Sequence, residues 1–155
     1  MRSLGRNIMI GAAGGLVATA AMSVVMLVAS RLGLTAQLPP GRIAEEAIEA
    51  ATSRPATRDE EEAVASIAHA AFGVAGGVIF GVIVSSLRRV PSGLMAGLGA
   101  VYATSIWLVS YQGWVPALRI MPPASRDDPG RAITMLVAHW VYGAVLGLVF
   151  AILRR

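Results

Sequence analysis

Two histidines, His69 and His139, are the residues of this sequence best equipped for chemistry. Each lies inside a long apolar run. A neutral imidazole offers one donor and one acceptor, titrates near neutral pH and ligates metals. Three roles are open to such a pair. Each ring can hydrogen-bond a backbone carbonyl, serine or threonine on a neighbouring helix and so fix its register. The two can jointly ligate haem or a metal ion. They can relay or sense protons, as ionisable groups inside a membrane often do. No carboxylate sits beside either histidine at ligand spacing, and the glycines that follow leave little room for a macrocycle. No haem, metal or other cofactor is therefore expected at His69 and His139. No catalytic residue is expected either. There is no cysteine, and no nucleophile elbow, zinc-protease helix, phosphate loop or dinucleotide fingerprint. The glycines of Gly73-x-x-Gly76-Gly77 sit inside an apolar run, not after a strand, so they cannot form a phosphate loop.

The histidines open two matching segments. His69, Phe72, Gly73, Gly77 and Phe80 align at one constant offset with His139, Tyr142, Gly143, Gly147 and Phe150. A weaker match joins Gly14, Ala18 and Thr19 to Gly99, Ala103 and Thr104, and Leu38-Pro39-Pro40 parallels Met121-Pro122-Pro123. The spacing i, i+3, i+4, i+8, i+11 places each set on one face of a helix. Phe72, Gly73, Gly77, Phe80, Tyr142, Gly143, Gly147 and Phe150 are thus expected to be helix-packing residues, because small-xxx-small stripes let backbones approach closely in lipid. A close parallel crossing between the two histidine helices is the expected use of these stripes. Homodimerisation is the alternative.

The elements that carry these stripes are membrane spans. Of the residues, 55% are apolar and 14% charged, and the mean hydropathy is +0.66. Soluble domains carry about 25% charged residues. Four apolar runs, at about 8–30, 63–86, 93–111 and 131–153, are each near the length needed to cross a bilayer as a helix. The first is too long for a signal-peptide core and is expected to be retained. All four belong to one membrane domain, 1–155, of all-α class, built as two parallel-repeated helix pairs. Each pair has an even number of helices, so both enter the membrane from the same side, which weakens an alternating-access reading. Between the spans lie an acidic loop at 31–62 and a proline-rich loop at 112–130. Residues 42–51 read as a short amphipathic helix, best taken as a solvated linker. Thr57 and Glu60 fit a capping box. Asp128 and Pro129 fit an N-cap followed by a first-turn proline. Trp107, Tyr111 and Trp114 fit an interfacial aromatic belt.

All thirteen basic residues are arginine, and the net charge is +4. They cluster in flanks of apolar runs, which points to membrane orientation and away from nucleic acid. One side would hold Arg2, Arg6, Arg88, Arg89, Arg154 and Arg155 and no acid. The other would hold seven arginines and all nine acids. Short flanks dominate the positive-inside rule, so both termini are expected in the cytoplasm.

The segment Gly15-Leu-Val-Ala-Thr-Ala-Ala-Met22, the Leu38-Pro-Pro corner and His139-x-x-Tyr-Gly-x-x-x-Gly resemble small bacterial membrane proteins of unknown function, the YagU-like group. The likeness covers most of the chain, although the acidic insert departs from the group's pattern. It implies a multi-pass protein of the bacterial inner membrane and carries no activity with it. The functional expectation is a non-enzymatic structural or accessory role in the bacterial envelope, with the lipid bilayer, another membrane protein or a second copy as partners. The competing expectation is a small-solute or proton pathway between the repeats.

Overall fold

The computed structural model describes residues 2–35, 38–87 and 90–155. Arg88 and Arg89, on which part of the orientation argument rests, lie outside the described residues. Helix α1 spans Arg2–Arg31, α2 Pro39–Thr52, α3 Arg58–Ile83, α4 Ser92–Val109, α5 Val115–Ala117 and α6 Pro129–Leu153. Among the described residues there is no strand. Four helical stretches, Leu4–Arg31, Arg58–Ser86, Ser92–Ala117 and Pro129–Leu153, are long and apolar enough to cross a membrane. Large apolar side chains such as Met9, Ile67, Val101, Val109, Ile133 and Ile152 stand on the outside of the bundle. A soluble monomer does not expose so much apolar surface. In lipid that surface is at home, and each helix satisfies its own backbone.

α3 and α6 start where the sequence signals say. Thr57 accepts from the backbone of Glu60 while the Glu60 side chain accepts from the Thr57 N–H, the capping box that opens α3. Asp128 caps α6 through the N–H of Arg131, with Pro129 at its first position.

The span ending near Tyr111 runs further than expected. A wide π turn, Ser110–Trp114, carries the chain from α4 into α5, so the proline-rich segment is helical up to Ala117. Pro116 lacks an N–H and would clash with the carbonyl four residues back in an ordinary α-helix. The widened turn, closed by Val115 N–H on Ser110 O, absorbs it.

The acidic segment also holds more structure than a solvated linker. α2 lies along α3 with Ala44 buried, and Ile43, Ala44 and Ala47 face the bundle. Its outer face carries Arg42, which bonds Glu45 and Glu46 at 2.8 Å each. The Glu45 hydrogen bond, with the nearby Glu46 and Glu49 carboxylates, holds the Arg42 guanidinium above its ordinary pKa.

α1 packs on α3, α4 on α6, and α1 also on α6. The glycine stripes make the first two contacts. A β-carbon at Gly77 would fall on the Gly11 carbonyl, and one at Gly15 on the Gly73 carbonyl. In the second pair, a β-carbon at Gly99 would fall on the Gly143 carbonyl and one at Gly147 on the Met95 carbonyl. This corrects two expectations. The stripes do not bring α3 and α6 backbone to backbone; the α3 stripe faces α1 and the α6 stripe faces α4. The counterpart of Gly99 is Gly15, not Gly14, which points instead at Leu146 of α6 with 3.1 Å between a β-carbon and Leu146 Cδ1. A slip of one residue turns a helix face by about 100°, enough to exchange one partner for another.

At one end of the bundle three arginines tie the helix ends together. Arg6 donates to the Leu153 carbonyl (3.0 Å), Arg154 to those of Val84 and Ser85 (both 3.1 Å), and Arg155 to Ser92 Oγ (3.0 Å). Cations at exposed C-terminal carbonyls suit the helix dipole. Both ends of the described chain therefore share one face of the bundle with Ser85 and Ser92.

Candidate functional site

α3 and α6 meet through side chains. Toward the arginine end, Phe80 and Phe150 are buried and pack edge to face, with ring centroids 5.8 Å apart at 87°. One step further along, Tyr142 reaches across and donates to the Gly73 carbonyl at 2.7 Å. Its matched residue Phe72 has no hydroxyl and lies at the edge of the bundle, 52% exposed. Phe72 is thus the one member of the expected packing set that does not pack inside. Gly73, Gly77, Phe80, Gly143, Gly147 and Phe150 are all buried.

Beyond Tyr142 the helices part. α1 and α6 stay in close contact, whereas α3 and α4 are joined by little more than Tyr102, whose hydroxyl donates to the Gly76 carbonyl at 2.8 Å and whose ring tilts against Phe80. The gap is a chamber of about 300 Å³. His69 from α3 and His139 from α6 both line it. α2 forms part of the wall through Pro39, Pro40, Ile43, Ala44 and Ala47, and α1 contributes Thr19, Met22 and Met26. Among the described residues no arginine, aspartate or glutamate lines it.

The expected aromatic belt turns inward to complete the wall. Trp107, Tyr111 and Trp114 all line the chamber, and Tyr111 is only 4% exposed. The π turn sets the direction of the last two. Tyr111 then donates to Asp127, which also pairs with Arg131 at 3.0 Å. Of these three only Tyr111 is buried and lines the chamber; Asp127 and Arg131 are half-buried behind it. Asp127, Asp128 and Glu60 are thereby committed to helix starts and ion pairs. Among the described residues no three histidine, aspartate or glutamate side chains gather as a metal site would require.

The histidines differ in their bonding. His139 Nδ1 lies 2.7 Å from the Met135 carbonyl. Only a protonated nitrogen can bond a carbonyl, so Nδ1 carries the proton and Nε2 of the neutral ring is an acceptor. His69 has no such bond, and its Nε2 is buried without a partner among the described residues. The same is true of Trp107 Nε1. His69 also borders a second, open groove between α1 and α3, where Ser23, Ser66, Glu61 and Glu62 lie.

Sequence spacing pointed to the histidines and the stripes. It missed Trp107, Met22, Met26, Met135 and the inner face of α2. For α2 a signal existed, since Ile43, Ala44 and Ala47 share one face at helical spacing.

These features define a class: an all-α, multi-pass membrane protein with four membrane-length helices around an apolar chamber that holds two histidines. The chain belongs to a family of unknown function, DUF6789, whose model matches residues 5–155. No curated protein and no solved structure matches it.

Proposed function

We propose that this chain is a non-enzymatic accessory protein of the bacterial inner membrane, built by duplication of one helix pair, that holds a small apolar molecule in the chamber between the two pairs. The observation that carries the reading is the placement of both histidines, from different helices, on one chamber of about 300 Å³ whose other walls are almost wholly apolar. Ligand sites are commonly concave, apolar and equipped with a few polar groups that set orientation. The resemblance to YagU-like proteins supports the inner membrane. The acid-free arginine cluster at Arg6, Arg154 and Arg155 supports cytoplasmic termini. On this reading the partners are the lipid bilayer and another membrane protein or a second copy. Nucleic acid is not among them, since those arginines bond helix-terminal carbonyls and Ser92.

Native mass spectrometry of protein purified from its own membranes tests the proposal. A neutral adduct of fixed mass should accompany each chain and disappear in Ala68→Trp, which fills the chamber. Bare chains carrying only detergent or phospholipid, with the variant indistinguishable, would contradict it.

The open groove favours a second reading, a proton path. Glu61, Glu62 and Ser66 lead from the outer end of α3 to His69, which borders both groove and chamber. Liposomes carrying the protein should then leak protons faster than those carrying His69→Ala/His139→Ala. Equal rates, matching empty liposomes, would remove this reading.

A further inference from the structure

The chamber and the open groove between α1 and α3 are neighbours. Among the described residues, five line both: Thr19 and Met26 of α1, Ala65 and His69 of α3, and Pro40 of α2. These five form the partition between the two spaces. Four of them belong to spans, and Pro40 does not. The next residues of α2 divide between the two sides. Pro39, Ile43, Ala44 and Ala47 line the chamber, and Gly41 lines the groove.

α2 is held less firmly than the spans. The spans interlock through backbone, as where Gly77 meets the Gly11 carbonyl and Gly99 that of Gly143. α2 has fourteen residues, all described, and Ala44 alone is buried. At Gly41 a β-carbon would meet the end of the Glu61 side chain, which can swing aside. The ion pairs of Arg42 with Glu45 and Glu46 are internal to α2 and fasten it to no neighbour. Elements with few buried apolar contacts open at the lowest cost. The chain is anchored on either side of α2. Thr35 is buried before it, and after it Arg54 donates twice to Glu60, at 2.9 and 2.6 Å. Between α2 and Arg54 stands Ser53, in the left-handed region at φ 55°. A turn of this kind at the end of an element is a place for a hinge.

We propose that α2 is the gate of the chamber. It rocks off the bundle as one body, takes Pro40 out of the partition and so joins chamber to groove. Leu16, Ala20 and Leu27 give the groove an apolar path from the bilayer. A molecule arriving along it is enclosed when α2 returns. This deepens the reading above and rests on it, since a gate serves a chamber that takes an occupant. The competing way in is the seam where α3 and α4 part, past the half-exposed Phe72.

The test locks α2 in place and times entry to the chamber. A β-carbon at Gly41 would stand 3.6 Å from Glu61 Cδ, so a disulfide between these two positions ties α2 to α3. In full-length Gly41→Cys/Glu61→Cys/Met135→Cys in nanodiscs, the third thiol reports entry, because Met135 lines the chamber and is 3% exposed. The chain has no cysteine of its own. The probe is N-ethylmaleimide, small and uncharged, and mass spectrometry of the peptides reads the initial rate at position 135. Locking should slow that rate about tenfold or more, since alkylation follows the population of the open form. Reducing the bridge should restore it. Adding Ala44→Glu to Met135→Cys alone should raise the rate by about as much, an arm that needs no bridge. Equal rates in the bridged and reduced forms, or no effect of Ala44→Glu, would overturn the gate and assign entry to the seam past Phe72. If the gate failed but native protein still carried an adduct that Ala68→Trp removed, the chamber's role would stand. If locking slowed alkylation but native protein carried no adduct, the gate would stand and the proposed occupant would fall.

Discussion

At Gly99 the carbonyl of Gly143 occupies the place a β-carbon would take, and the converse holds at Gly143. The obstacle is backbone on both sides and cannot rotate away. Gly99→Val or Gly143→Val should cost about 2–3 kcal/mol, at the upper end for overpacked sites. Gly97→Ala is the matched control. Nothing lies within 4 Å of its added methyl, and it should be neutral or stabilise α4 by up to about 1 kcal/mol. Thermal unfolding in detergent reads both. Tyr142→Phe should cost about 1 kcal/mol, because it strips one buried hydrogen bond from the Gly73 carbonyl while leaving the ring in place. At this scale the sequence was informative about which residues pack and silent about their partners. The interval between Gly73 and Gly77 marks a face. It does not say whether α1 or α6 lies against it, since every neighbour offers glycine or alanine. The same degeneracy let Gly14 stand in for Gly15.

Helix α2 shows what binary pattern alone decides and what it leaves open. Its acidic outer face and its Ile43–Ala44–Ala47 face are both plain in the sequence. Whether the second face rests on water, lipid or protein depends on a gap between α3 and α4 that no local pattern encodes. The π turn is similar. Pro116 advertises a break, but the fold widens a turn there and so aims Tyr111 and Trp114 inward. Two predictions belong to this scale. Ala44 is 2% exposed, so Ala44→Glu should detach α2. Hydrogen exchange over 39–52 should then speed up by orders of magnitude while α1, α3, α4 and α6 keep their protection. Protection in α2 equal to wild type would show that its packing does not depend on this face. Thr57→Ala should remove the cap of α3 at a cost of about 1 kcal/mol. The loss should appear as fraying of the first turn, read by exchange at Glu60 and Glu61.

For the whole molecule, the two helix pairs make like contacts inside themselves and unlike contacts with each other. α1 closes on α6, α4 stands off from α3, and the chamber occupies the difference. The helix-end contacts of Arg6, Arg154 and Arg155 bring both ends of the chain to one face. Since the chain has no cysteine, single cysteines report its topology cleanly. Ser92→Cys and Arg155→Cys should be shielded together from an impermeant thiol reagent in intact cells, and Ser53→Cys should react.

The account stands most directly on the two histidines sharing one chamber, and a double substitution examines that without reference to any ligand. In His69→Cys/His139→Cys, treated in native membranes with a short bis-maleimide, the predicted product is an internally bridged monomer of increased gel mobility, formed at high yield. Unbridged chains with both thiols separately alkylated, or bridging only between copies, would show that the two positions do not face a common space.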